Sequence, residues 1–288
     1  MTLPTTTDGR PFDLDLLRSW IGQASVTMDT LSVRHARLMA ATLGLPQAPF
    51  VAGTPLPPLW HWLYFLEGSP ESELDRDGHP ARGSFLPPMP LANRMWAGSR
   101  LEVHAPVGIG ASVRKRSVVV SVEHKRGRSS DLVLVTVRHE IFNVDKMAIT
   151  EEHTIVYKEP ASPGMTLPSS ATMPRPSHCE PFQATSTMLF RYSALTFNAH
   201  RIHYDLGYCR NVEGCENLVV HSALQATLLA GLATRLATRP PRQFHYRGVQ
   251  PNLLGTPLSL NAAPTEAGLT LWTAQPDGAV SVLAKATF

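Results

Sequence analysis

The chain has 288 residues, of which 43% are hydrophobic and 17% charged, with a formal net charge of +3. This composition supplies enough apolar material for a core and excludes a disordered chain, and the length fits one large or two modest domains. Lys and Arg are spread along the chain and form no basic run, so we expect no nucleic-acid partner, although a mild positive excess suits an anionic small molecule.

The first residues lack the charged segment and apolar stretch of a secretory signal. No later apolar run approaches the length that a bilayer span needs. We therefore expect a cytoplasmic protein with no membrane segment.

The first half of the sequence changes from helical to strand periodicity near residue 100. Apolar positions at helical spacing between residues 14 and 43 predict two helices, with Ser32 as N-cap of the second. The strongly apolar segment 56–66 predicts a buried core helix, since a Pro pair near its beginning suits a helix start. Alternation with a period of two then predicts four strands of an antiparallel meander, at residues 101–104, 117–123, 132–140 and 149–157.

Six prolines between residues 159 and 182 predict an interdomain linker, because Pro disfavours helix interiors and central strands. The second half then repeats the plan of the first, with a strand at 188–195 and an apolar helix at 221–237. Four further strands are predicted at residues 244–249, 257–262, 269–274 and 280–287. The domains are therefore residues 1–158, with leading helices, and residues 183–288, joined by the linker 159–182.

Each half thus offers one apolar helix and a four-stranded antiparallel meander, which predicts an α+β protein. A sheet wrapped around a central helix buries the apolar face of both. This arrangement is the hotdog fold, and two copies in one chain make a double hotdog. The three cysteines, Cys179, Cys209 and Cys215, form no C-x-x-C pair, so neither a disulfide framework nor a zinc site is expected.

The segment with the densest set of polar and titratable side chains is Arg191-Tyr-Ser-Ala-Leu-Thr-Phe-Asn-Ala-His-Arg-Ile-His-Tyr-Asp205. It resembles the hydratase motif of MaoC-like hotdog enzymes, Tyr-x-x-Ser-Gly-Asp-x-Asn-Pro-x-His-x-Asp. In that family the first Asp and the His flank the water that is added to or lost from an acyl chain. Asn198 and His203, five residues apart, stand at those two places.

The closer resemblance is to the hydroxyacyl-thioester dehydratase type 2 branch, which includes itaconyl-CoA and mesaconyl-C4-CoA hydratases. Residues 197–205 match its pattern Phe-Asn-x-His-Arg-Ile-His-Tyr-Asp. Residues 220–224 match its Val-His-Gly-Pro-Leu in part, with Ser222 and Ala223 in place of Gly-Pro. Signatures of its N-terminal domain are Phe85-Leu-Pro-Pro-Met-Pro-Leu-Ala-Asn-Arg-Met-Trp-Ala-Gly98 and Lys125-Arg-Gly-Arg, so the resemblance covers nearly the whole chain.

The resemblance implies addition of water across an α,β-unsaturated acyl-CoA thioester, with no cofactor besides the coenzyme A of the substrate. Asn198 cannot take a proton, although its amide can orient the water, so proton transfer falls to His203. An imidazole with a pKa of about 6.5 can take a proton from water and return it to the α-carbon. By the same resemblance, the backbone N–H of Ser222 at a helix start stabilises the thioester oxygen.

Further candidates surround the motif. Tyr192, His200, Arg201 and His221 are expected to line the substrate site, with the two histidines positioning their neighbours. Arg94 and Arg247 are candidate cations for a carboxylate or phosphate of the substrate. No metal is expected on the motif histidines, because no suitably spaced carboxylate or Cys completes a ligand set.

The expected reaction is hydration of itaconyl-CoA or mesaconyl-CoA to citramalyl-CoA. Three alternatives remain open: a 3-hydroxyacyl-thioester dehydratase of fatty acid synthesis, a hotdog thioesterase and a non-catalytic acyl-CoA binding protein. A monomer and a homodimer are both compatible with the sequence, because two fused hotdogs already form the pairing that single hotdogs make by dimerising.

Overall fold

The computed structural model describes residues 13–91, 93–126, 131–159 and 173–288. The strands of the first half are β1 (Ala24–Thr30), β2 (Asn93–Val103), β3 (Ser112–Arg126), β4 (Asp131–Asn143) and β5 (Lys146–Lys158). Those of the second half are β6 (His178–Phe182), β7 (Gln243–Gly248), β8 (Leu258–Thr265), β9 (Gly268–Ala274) and β10 (Val280–Thr287). The α-helices are α1 (Leu14–Arg18), α2 (Val33–Thr42), α3 (Ser186–Thr196), α4 (Leu206–Tyr208) and α5 (Ser222–Ala237).

These strands form one sheet in the order β1-β3-β4-β5-β2-β7-β10-β9-β8-β6. Read outwards from the junction, each half has the same order of its own second, fifth, fourth, third and first strand. The two halves meet where β2 pairs antiparallel with β7, from Gly98 opposite Arg247 to Glu102 opposite Gln243. The repeated order confirms the double hotdog.

The predicted core helix of the second half is confirmed as α5, which packs against β7 to β10. Leu224, Leu229 and Leu232 on this helix are fully buried. They belong to one cluster of buried apolar side chains that continues into α2 and the sheet of the first half. Because the core is shared, the beginning of α5 is held at the junction of the two halves.

The two predicted meanders are also confirmed, with most strands longer than expected. The predicted strand at 101–104, for example, is the end of β2, which starts at Asn93. Residues 127 and 128 of the Lys125-Arg-Gly-Arg signature lie outside the described residues. No helix in the described ranges is long and apolar enough to span a membrane.

The N-terminal segment differs from the prediction of two helices alone, because β1 lies between α1 and α2. β1 pairs with β3 at the edge of the sheet. The sequence did not predict this strand, because its apolar residues Val26 and Met28 are exposed, at 59% and 66%, and do not mark a buried face. Ser32 does occupy the N-cap position of α2, but its side chain makes no capping hydrogen bond.

The prediction of a helix at residues 56–66 is wrong, although the expected burial is found. The segment forms only one 3-10 turn, Trp60–Leu63, whose side chains at 60 and 63 are buried. Leu59 and Phe65 on either side have φ values of 69° and 59°. Left-handed backbone at both ends prevents the helix from extending.

The predicted strand at 188–195 is wrong, since these residues lie in α3. Thr185 caps this helix by accepting a hydrogen bond from the backbone N–H of Met188, and its buried residues recur at helical spacing: Leu189, Tyr192, Ser193 and Leu195. The first strand of the second half is instead β6, inside the predicted linker. Pro181 is tolerated because β6 is an edge strand. Residues 160–172 of the linker lie outside the described residues.

Candidate active site

The motif residues form a compact connection between α3 and α5. α3 ends at Phe197, whose φ of 49° turns the chain away from the helix. The side-chain oxygen of Asn198 then accepts a hydrogen bond from the backbone N–H of His200 at 3.0 Å. Residues Arg201–His203 make a single 3-10 turn. Local hydrogen bonds and a helix end, not the end of a strand, therefore position His203.

His203 is held against the beginning of α5. Its Nδ1 lies 2.8 Å from the carbonyl oxygen of Val219. Because a carbonyl only accepts hydrogen bonds, Nδ1 carries a proton and the lone pair of the neutral ring is on Nε2. The ring stacks on that of His221, the N-cap residue of α5, with centroids 3.5 Å apart and an interplanar angle of 20°.

Three histidines of this cluster are neutral near pH 7. Burial lowers the pKa of His203 to about 4, despite the hydrogen bond to Val219, which raises it. Burial, together with the neighbouring His79 and His203, lowers the pKa of His200 to about 3. Burial also lowers the pKa of His221 well below its ordinary value. His203 is therefore prepared to act as a base.

These lowered pKa values predict that the protein loses stability in mild acid. Between the unfolded-state pKa of about 6.5 and the folded-state values, the unfolded chain binds more protons, so the free energy of unfolding falls as pH decreases. Above this window the histidines add no pH dependence. Urea unfolding at a series of pH values from about 7.5 to 5 should show the loss.

His203→Gln should flatten the pH dependence of stability, because it removes one of these titrating groups. His104→Gln, at a partly exposed histidine away from the site, is the matched control and should keep the wild-type slope. Equal slopes in all three proteins would contradict the assignment.

A loop of the first half, residues 75–79, packs on the motif of the second half. The backbone N–H of Arg201 donates to the carbonyl of Asp77 at 2.9 Å. Gly78 has a φ of +90°, and a Cβ at this position would lie 2.0 Å from the carbonyl oxygen of Ala199. The loop thereby brings the ring of His79 to 4.6 Å from that of His200. The candidate site consequently contains residues from both halves.

Asp77 in this loop is a buried carboxylate with two donors. It accepts hydrogen bonds from the backbone N–H of His79 at 2.9 Å and from His79 Nδ1 at 3.1 Å. The guanidinium of Arg94 lies 3.8 Å away. Burial raises the pKa of Asp77, but His79 and Arg94 outweigh burial and hold that pKa well below its ordinary value.

Asp77, His79 and His200 are also the residues of the described chain whose atoms converge as metal ligands would, within 4.8 Å of one another. Two features oppose a cation there. Both carboxylate oxygens already accept hydrogen bonds from His79, and the positive charge of Arg94 is adjacent. His203 and His221 are not among the described residues whose ligand atoms converge with those of His200.

The remaining predicted residues fall into two groups. Tyr192 is buried, its ring 5.0 Å from that of His221 and its hydroxyl 3.4 Å from that of Thr227, so it forms part of the wall behind the cluster. Ser222 is the first residue of α5. Arg201 pairs with Asp205 at 2.7 Å.

Arg247 is separate from the histidine cluster. It lies on β7 opposite Gly98, and its side chain is exposed. Asp77 and His79, by contrast, belong to the site although the sequence did not single them out. Their Asp-Arg-Asp-Gly-His context looks like an ordinary polar turn, and no local pattern shows that it contacts the motif.

A second buried polar cluster in the first half was also not anticipated. The carboxylate of Glu151 on β5 lies 2.7 Å from His61 and 2.8 Å from His153. Trp62 and Ser99 also donate hydrogen bonds to it. Burial raises the pKa of Glu151, but His153 and His61 hold that pKa well below its ordinary value. The cluster anchors the Trp60–Leu63 turn on the sheet.

A double hotdog with a neutral imidazole at the start of a buried helix has the fold and one of the groups expected of a hydro-lyase that acts on acyl thioesters. The chain belongs to the hydroxyacyl-thioester dehydratase type 2 family, whose model matches residues 59–254. The protein is accordingly an enzyme that adds or removes water.

Known relatives agree with this assignment. The chain is 42% identical over 269 residues to the mesaconyl-C(4)-CoA hydratase of Chloroflexus aurantiacus, covering 92% of this chain and 95% of that protein. It is 30% identical over 241 residues to the mitochondrial hydroxyacyl-thioester dehydratase type 2 of Schizosaccharomyces pombe, covering 74% and 79%. In fold it resembles a Mycobacterium tuberculosis protein described as a double hotdog, with a TM-score of 0.53, 15% identity and coverage of 93% and 96%.

Proposed function

We propose that the enzyme reversibly hydrates a short dicarboxylic enoyl-CoA, itaconyl-CoA or mesaconyl-C4-CoA, to citramalyl-CoA. The observation that carries the proposal is the tautomer of His203, which leaves Nε2 as a neutral base at the start of α5. Similarity over nearly the full length to a mesaconyl-C(4)-CoA hydratase supports the choice of substrate. The reaction requires no cofactor besides the coenzyme A of the substrate, and the enzyme is proposed to work in the cytoplasm as a monomer or homodimer.

The chemistry follows from the contacts of the motif. His203 Nε2 removes a proton from water as its oxygen attacks the β-carbon. Asn198 uses its oxygen on His200, which leaves its amide NH₂ to donate to the water. Negative charge that develops on the thioester oxygen is stabilised by the backbone N–H of Ser222 and the positive end of the α5 dipole. Because the pKa of His203 is low, its imidazolium returns a proton readily to the α-carbon.

The environment of Arg94 favours a substrate that carries a second carboxylate. Its side chain is only 9% exposed and lies close to Asp77. One of its nitrogens donates to the carbonyl of Pro80, while its buried Nε has no hydrogen-bond partner among the described residues. A buried guanidinium with a spare donor is suited to a carboxylate. Arg201 is already neutralised by Asp205, and the exposed Arg247 is the better candidate for a phosphate of coenzyme A.

The test is to incubate purified enzyme with itaconyl-CoA, mesaconyl-C4-CoA and the monocarboxylic crotonyl-CoA, and to follow the products by mass. We expect a dicarboxylic thioester to gain the mass of one water at least about tenfold faster than crotonyl-CoA, since its second carboxylate can accept a hydrogen bond from the buried Nε–H of Arg94. Equal rates for all three would contradict the substrate assignment. Release of free coenzyme A thiol would instead indicate a thioesterase, and binding without turnover a non-catalytic protein.

A 3-hydroxyacyl-thioester dehydratase is the second candidate, favoured by the similarity to the enzyme of Schizosaccharomyces pombe. Such an enzyme has to hold acyl chains of different lengths. Rates that rise with acyl-chain length, measured in the dehydration direction, would favour this function over the proposed one.

A further inference from the structure

The motif of this chain lacks a carboxylate where MaoC-like enzymes have one, since Asn198 occupies that place. The structure supplies another carboxylate to the same cluster from the first half. Asp77 accepts a hydrogen bond from His79 Nδ1, so in the neutral ring the lone pair of His79 is on Nε2. His79 and His203 are thus two imidazoles of the same tautomer, each oriented through Nδ1.

The position of His79 relative to the motif is set by backbone contacts. The hydrogen bond from Arg201 to the carbonyl of Asp77 and the close approach of Gly78 to Ala199 hold the loop on both sides of His200. The ring of His79 lies 4.6 Å from that of His200, which in turn lies 5.6 Å from that of His203. The cluster therefore forms a continuous series of three imidazoles from one half to the other.

Among the described residues, Asp77, His200 and His203 interact with His79, and Arg94 lies beside Asp77. Asp77 is negative, and His200 and His203 are neutral near pH 7. The carboxylate of Asp77 orients the ring of His79 through Nδ1, as the Asp of a catalytic triad orients its imidazole. Of these histidines, His79 is the one whose ring shares a hydrogen bond with a carboxylate.

We propose that Asp77 and His79 form a second proton-transfer pair, in which protonated His79 acts as the general acid while His203 acts as the general base. This assignment rests on the proposed hydration and deepens it. It gives the cluster separate groups for the two proton transfers, which His203 alone would otherwise have to perform in turn.

The step balances as follows for hydration. One O–H bond of water breaks as the oxygen bonds to the β-carbon, and this proton goes to His203 Nε2. The electron pair of the double bond moves to the α-carbon and thioester oxygen. A proton leaves His79 Nε2 and forms the new bond at the α-carbon. His203 then carries the extra proton, which returns to His79 by exchange with solvent before the next turnover.

The test compares His79→Gln and His79→Ala with wild-type enzyme, using the dicarboxylic enoyl-CoA that the wild type hydrates. His79→Gln is expected to lower kcat by about 10²-fold with little change in KM. Imidazole added to the solution should restore part of the activity of His79→Ala, because it can enter the vacated space and carry the proton. Asp77→Asn should lower kcat by at least about tenfold, since it removes the carboxylate that orients the ring of His79. His104→Gln is the matched control and should retain wild-type kinetics.

Several outcomes would overturn the assignment. His79→Gln with kcat close to that of wild type would do so, and so would a loss that appears mainly in KM and is not rescued by imidazole. Loss of wild-type activity on treatment with a chelator, restored by Zn²⁺, would show that Asp77, His79 and His200 hold a metal instead. If wild-type enzyme hydrates none of the thioesters, the proposed function itself fails, which is distinct from an active enzyme that is indifferent to His79.

Discussion

Replacing His203 by Gln is expected to lower kcat by at least about 10²-fold while the protein still folds. Gln is similar to His in length, and its amide places a polar group where Nε2 of His203 lies, although the hydrogen bond from Nδ1 to the carbonyl of Val219 is lost. The substitution therefore keeps a polar side chain in this place but removes the imidazole that is proposed to accept a proton from water. Because the lost interaction acts in the transition state, kcat and kcat/KM should fall together.

The measurement is the rate of water addition to the best thioester, with thermal unfolding as the check on folding. His200→Gln is an informative control, because His200 lies 5.6 Å from His203 in the same cluster but is assigned a positioning role. We expect it to retain much more activity than His203→Gln. A His203→Gln enzyme as fast as wild type would rule out the mechanism.

Gly98→Ala is expected to destabilise the protein by about 1–3 kcal/mol, because it forces an atom into the strand pairing that joins the two halves. Gly98 is the first residue of β2 to pair with β7. A Cβ at this position would lie 2.3 Å from the carbonyl oxygen of Tyr246 and 3.0 Å from the Cα of Arg247. Both are backbone atoms, which cannot rotate out of the way as the end of a side chain can.

Gly231→Ala is the matched control for this substitution. Gly231 lies in α5, where a Cβ would meet only the end of the Arg235 side chain, at 3.9 Å. Ala at this helical position should stabilise the protein by about 1 kcal/mol. Urea unfolding should thus shift in opposite directions for the two variants, and a Gly98→Ala protein as stable as wild type would show that the junction can rearrange without cost.

The meander strands and α5 could be recognised from the sequence alone, whereas α3 was predicted as a strand although its buried residues recur at helical spacing. The meander strands alternate with a period of two because one face of each packs on the core. α5 was recognisable because its apolar residues are continuous. The edge strands β1 and β6 were not recognised, since an edge position permits exposed Val26 and Met28 in one and Pro181 in the other.

The candidate site divides in the same way. Asn198, His200, His203, His221 and Ser222 could be identified because they lie in two short segments whose residue types resemble a known motif. Asp77 and His79 could not be identified from the sequence, because their loop meets the motif only in the folded protein. The hydrogen bond from Arg201 to the carbonyl of Arg76 in this loop joins residues 125 positions apart. A contact over such a separation leaves no trace in the spacing of either segment.

By itself, then, the sequence determined the two meanders, the buried helix of the second half and the candidate histidine, His203, since each depends on residues close together in the chain. Only the tertiary structure decided the tautomer and protonation of His203 and the shortening of the expected core helix to one 3-10 turn. It also placed the pair of Asp77 and His79, from the first half, beside the motif of the second half. Each of these depends on burial and on backbone contacts between segments far apart in the chain.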